Sequence, residues 1–141
     1  MSFEFHPREK EGIQILDLHG HLIEGASEAR LRAAIGALAG GGAVNVILNF
    51  AAVTEIDGDG ASAVVFCDAT VTSSGGALKL LNLSPLHVSL LVLAKLDTLS
   101  EVFTDEQAAV NSFFPGRAVQ HYDVLEFVEE TEKDPTGDPA P

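Results

Sequence analysis

Two carboxylates alternate with two glycines in the stretch Asp57-Gly58-Asp59-Gly60. Acids spaced this way could accept a phosphoryl group, help hold a cation, or cap a helix. The run Val53-Thr54-Glu55-Ile56 leads into the stretch, and an apolar, helix-like run from Ala61 follows it. Glycine supplies unusual backbone angles for a tight turn, and Asp59 could accept hydrogen bonds from the first unpaired N–H groups of the helix. A phosphoaspartyl receiver would need a magnesium-binding acidic pair at the end of its first strand and a lysine past a later strand. Asp17 and Lys79 each fall inside a strand-like run instead, which argues against that chemistry.

Other reactive groups are sparse. His19 and His21 share one face of a strand, with Glu24 nearby. A zinc site asks for three or four ligands at defined spacing, so no metal is expected there. His87 and His121 read as surface residues. The lone Cys67 sits in an apolar helical pattern, with nothing in the sequence to activate its thiol. Gly40-Gly41-Gly42 has no following Lys-Ser/Thr pair and is not a phosphate loop. No nucleophile–base pair is visible, so neither catalysis nor a cofactor is expected.

The elements that must position the acidic turn can be read from periodicity. Phe3-Glu4-Phe5 and Ile13-Gln14-Ile15-Leu16-Asp17-Leu18 alternate apolar and polar residues about the charged turn Arg8–Glu11, which predicts a β-hairpin. Ser27 is a candidate N-cap for a helix through Leu31, Ala34, Ile35 and Leu38, ended by Gly40-Gly41-Gly42. Val44–Phe50 reads as a buried central strand. A helix is predicted from about Asp59 to Ser73, then a strand over Ala77–Leu83. Ser84-Pro85 opens a third helix through Leu86, Leu90 and Leu93. After a short strand at Glu101–Phe103, Thr104 and Gln107 form a capping box for a fourth helix. Residues 119–128 fit either an added strand or a docking helix.

On the helix after the acidic turn, Gly60, Val64, Cys67 and Val71 share one face. Ala61, Val65, Phe66 and Ala69 make a second apolar face, with Ser62 and Ser73 among them. Ordinary surface helices are polar outside, so this face is either covered by a neighbouring element or left for a partner.

The 141 residues fit one domain, and the 46% hydrophobic content is enough for a real core. The net charge of -13 disfavours nucleic acid and anionic membranes and suits docking onto basic protein surfaces. The richest apolar stretch, Leu86–Leu96, is too short to span a bilayer and carries His87, Ser89 and Lys95. The N-terminus lacks the basic region and apolar core of a secretion signal. With one cysteine, these features predict a cytoplasmic setting. From Glu126 onward, acids and prolines predominate, and a solvated tail is expected.

The acidic turn and its flanks resemble the signature of STAS domains, the anti-sigma factor antagonist family. There the motif reads Asp-Ser-Ser-Gly, and a partner kinase phosphorylates the second serine. Leu18-His19-Gly20-His21-Leu22, Val46–Phe50 with Val53–Asp57, and Val102–Ala109 resemble, in order, the family's second strand, its central strand with switch loop, and its closing strand with last helix. The resemblance spans about residues 3 to 115. Asp57 keeps the family's identity, whereas Gly58 and Asp59 stand where the two serines would be. Asn49 replaces a central-strand aspartate, and Ile23, with Glu24 beside it, stands where a Gly-x-x-Asp motif would place one.

The resemblance implies a single α/β domain over residues 1–118, with a mixed sheet of about four to five strands and about four helices. Residues 119–141 would form an extension ending in the acidic tail. It implies a non-catalytic interaction module whose partner is an anti-sigma factor or GHKL-type serine kinase, or a STAS-containing assembly. Docking would use Asp57, Gly58, Asp59, Gly60, Ser62 and Phe66, with Ile23 and Glu24 alongside. Phospho-switching at the usual position would be unavailable, and Asp59 would be a helix cap, a fixed negative charge that sets partner choice, or both. Alternatives are a STAS domain sensing a nucleotide or lipid, and a scaffold subunit that oligomerises, as in a homodimer, through the apolar helix.

Overall fold

A computed structural model describes residues 3–42, 44–85, 87, 101–114, 116, 122 and 123. The chain opens with the expected hairpin, β1 (Phe3–Lys10) and β2 (Ile13–Leu22). Its turn is tighter than expected: Glu11 and Gly12, with φ of 54° and 84°, make a two-residue loop. Positive φ at both positions matches the right-handed twist of the flanking strands, so the charged run Arg8–Lys10 stays within β1. Pro7 lies opposite Leu16 in this pair.

Next come α1 (Ala26–Ala39), β3 (Asn45–Ile56), α2 (Gly58–Ser73), β4 (Ala77–Leu81), β5 (Glu101–Phe103), α3 (Glu106–Asn111) and β6 (Tyr122–Asp123). The sheet runs β1-β2-β3-β4-β5-β6, antiparallel at its two outer pairs and parallel between β2 and β5. The expected mixed α/β sheet is present, and the two-residue β6 adds an edge strand within the ambiguous 119–128 segment. Most of the third predicted helix, along with the acidic tail, lies outside the described residues.

Two apolar layers flank the sheet. On one face Leu16, Leu18, Val46, Leu48, Leu78 and Leu80 pack against Leu31 and Ile35 of α1 and Val64, Cys67 and Val71 of α2. On the other, Ile13, Ile15, Ile47, Leu81 and Phe103 pack against Ala109 and Val110 of α3. Strand alternation assigns each residue to its face.

Three capping expectations are corrected. Gly25 is the N-cap of α1, and Ser27 is buried inside the helix. Asp57, not Asp59, caps α2, and Asp105, not Thr104, caps α3. In each case the helix begins one residue after its cap; Asp57 and Asp105 are extended, whereas Gly25 sits at φ 106°. Asp57 Oδ1 accepts from the Gly60 N–H at 2.8 Å, and Asp105 Oδ2 from the Ala108 N–H at 2.9 Å. His87 is buried rather than on the surface, and burial lowers its pKa.

Candidate functional site

The long β3 overhangs β4, so beyond Asn49 it pairs only with β2. It delivers the chain to Asp57 beside the end of β2. There the main chains meet: the Asp57 N–H donates to the Leu22 carbonyl at 3.3 Å. A Cβ on Gly60 would lie 2.0 Å from that same carbonyl oxygen and 3.2 Å from Ile56 Cγ2. Only glycine lets the first turn of α2 approach β2 this closely, which is the physical reason for Gly60.

Asp57 joins the two loops. Its Oδ1 caps α2, and its Oδ2 accepts from the Glu24 N–H at 3.0 Å. Burial works to raise its pKa, but the N–H donors of Glu24 and Gly60 outweigh it and hold the carboxyl below the usual carboxylate range. On the β2–α1 side, Ser27 Oγ accepts from the Ile23 N–H at 2.8 Å and donates to the Ile23 carbonyl at 2.7 Å. The side chain that looked like a cap therefore closes the loop holding Ile23 and Glu24. Gly25, at φ 106°, supplies the turn between them.

The structure thus brings Ile23, Glu24, Asp57, Gly58, Asp59 and Gly60 together at one end of the sheet. Glu24, Gly58, Asp59 and Ser62 are exposed there, while Gly60 is buried. Asp59 stands on the first turn of α2 beside a cap that Asp57 already supplies. Beside this end, a cleft of about 380 Å³ is lined by residues including Glu4, His21, Glu24, Ser27 and Arg30. His21 Nδ1 lies 3.0 Å from Glu55 Oε1.

Phe66 lies further along α2 and is 42% exposed, the only large hydrophobic side chain so exposed among the described residues. The Arg32 guanidinium of α1 sits 4.7 Å from its ring centroid and is held by Glu28 at 2.6 Å. Of the second apolar face, Ala61 is buried, Val65 half-buried, and Phe66 and Ala69 exposed. Neighbouring elements cover part of that face and leave part open. Sequence reasoning missed Arg32; the Glu28/Arg32 spacing of four on α1 was the available signal. It also missed Asp68, which is buried on α2.

A polar ladder crosses the other face of the sheet. Arg8 bonds Asp17 at 2.7 Å and also Glu106, and Asn49 Nδ2 donates to Asp17 Oδ1 at 2.8 Å. Asn49 Oδ1 accepts from Asn82 Nδ2 at 3.0 Å and from the Ala51 N–H at 3.1 Å. Asn49 is therefore a junction that an aspartate could not reproduce, since a carboxylate cannot donate to Asp17.

A parallel-centred sheet with two helices on one face, and an acidic helix start beside the end of β2, defines an α/β layered domain. The STAS domain model matches residues 4–109, and the chain belongs to the STAS domain family. Among solved structures, it is similar to the anti-sigma factor antagonist SpoIIAA in its unphosphorylated form (22% identity, TM-score 0.66, covering 78% of this chain and 96% of that one). It is also similar to a putative anti-sigma factor antagonist of Thermotoga maritima (18%, 0.69, 77% and 92%). An anti-sigma factor antagonist from Mycobacterium paratuberculosis matches at 16% identity and TM-score 0.68, over 79% and 93% of the two chains. At these identities the likeness is one of fold. No curated protein shows significant sequence similarity to the chain.

Proposed function

We propose that this protein is a non-catalytic, cytoplasmic regulatory module of the anti-sigma factor antagonist kind. It docks an anti-sigma factor or GHKL-type serine kinase, or a STAS-containing assembly, through the start of α2 and the adjacent Ile23-Glu24 loop. Asp59 occupies the position of the family's phosphorylated serine, so docking proceeds without a phospho-switch at that site.

The observation that carries this reading is the division of labour between the two aspartates. Asp57 is the helix cap and the link to Glu24, whereas Asp59 is exposed on the first helical turn. The Asp59 charge is thus presented to a partner at the positive end of a helix dipole. A carboxylate carries one charge and two acceptor oxygens, against about -1.5 to -2 and three for a phosphoserine, so the mimicry is partial.

The test compares wild type and Asp59→Ser in pull-downs from native lysate, read by mass spectrometry, together with thermal melts. A recovered anti-sigma factor or kinase whose amount changes with the substitution, at nearly unchanged Tm, supports the reading. Equal recovery from both, or phosphate found on Asp59 after incubation with ATP and the kinase, sinks it.

A further inference from the structure

The hairpin sets four potential ligands on one face in a two-by-two block. Glu4 lies across from His19, and His6 across from Asp17. Alternation along each strand turns all four side chains to the same side. Both imidazoles are exposed, and they meet diagonally, with ring centroids 4.9 Å apart and planes at 81°. Two imidazoles bound to one tetrahedral ion, with metal–nitrogen bonds of about 2.0–2.1 Å, have centroids roughly 5 Å apart. The separation of the two rings lies in that range.

We propose that His6 and His19 form a seat for one borderline divalent transition ion of the zinc, nickel or copper class. This is a site distinct from the acidic end of α2. His21 takes no part, because it is engaged by Glu55. Among the described residues no group of three or more His, Cys, Asp or Glu is gathered to hold a metal. The remaining positions on the ion therefore fall to water, or to Glu4 after a change of rotamer. Asp17 is held by Arg8 and Asn49 and contributes charge rather than a bond. A net charge of -13 favours uptake of a cation, and imidazole suits this class of ion better than calcium or magnesium.

The tethering of both ligands is built into the sheet. One comes from each strand of a hairpin whose register is fixed by its two-residue turn, so binding orders little besides two side-chain rotamers. An ion bridging the strands would also hold the exposed β1 edge to β2, raising Tm progressively as the free ion concentration exceeds Kd.

The experiment titrates zinc chloride, at pH near 7.5, into the full chain and into His6→Gln, His19→Gln and His21→Gln variants, read by calorimetry and thermal melts. The expected result is one saturable equivalent in wild type with a rise in Tm. Either of the first two substitutions should weaken it by about tenfold or more, and His21→Gln should leave it unchanged. The proposal is overturned by the absence of a saturable site, by a site that survives loss of His6 or of His19, or by equal dependence on His21. His6 and His19 are exposed and His21 is half-buried, and unligated melts of each variant check that folding is intact.

Discussion

At the residue scale, one carboxylate in the acidic turn is structural and the other is displayed. Asp57→Asn keeps a capping oxygen, whereas Asp57→Ala removes both the cap and the tie to Glu24. The alanine variant should lose about 1–2 kcal/mol in denaturant unfolding, and the asparagine variant less. The pH dependence follows from the direction of the shift. The folded pKa of Asp57 is depressed, so its contribution is complete above the ordinary aspartate range near about pH 4 and is lost as pH falls through the lower folded value. Melts of wild type and Asp57→Asn should therefore converge toward acid pH; a constant gap down to pH 2 would contradict this assignment. Gly60→Ala drives a methyl into the Leu22 carbonyl and should destabilise by about 1–3 kcal/mol. A neutral effect would mean that α2 can withdraw from β2 without loss.

At the element scale, the periodic parts of the chain were the most legible. Strand alternation and the apolar stripe of α2 gave the hairpin, the central strand and the layered architecture. The caps were less legible because each lay one or two residues from the expected one. Ser27, Asp59 and Thr104 are all competent cap types, and only the backbone angles reveal that Gly25, Asp57 and Asp105 hold the positions. The site was partly legible. Glycine and aspartate placed the turn, but Glu24 meeting Asp57 depends on two loops brought together by strand pairing, which no local pattern encodes. The Arg8 cluster is likewise non-local, joining β1, β2 and α3 through Asp17 and Glu106. Hydrogen bonds from Arg8 are the main reason the Glu106 pKa is low. Arg8 is partly exposed, so Arg8→Gln should cost no more than about 1 kcal/mol, and that cost should shrink in high salt. A larger, salt-independent loss would mean that α3 depends on this cluster to stay on the sheet.

At the scale of the whole molecule, charge and edges govern encounters. With a net charge of -13, association with a basic partner should slow as ionic strength rises, mainly through the on-rate, which stopped-flow mixing at several salt concentrations would read. The hairpin has a further consequence. A two-residue turn makes Lys10 and Ile13 a hydrogen-bonded pair, and bonded pairs then alternate along the ladder. Arg8–Ile15 is bonded and Pro7–Leu16 is not, so the backbone nitrogen of residue 7 faces away from β2. Proline places no hydrogen there, and a second chain laid alongside β1 would find a missing rung in the middle of the strand. The sheet thus carries an interruption of its own: a continuous ribbon of copies paired along that border would lack a hydrogen bond at residue 7 of every strand.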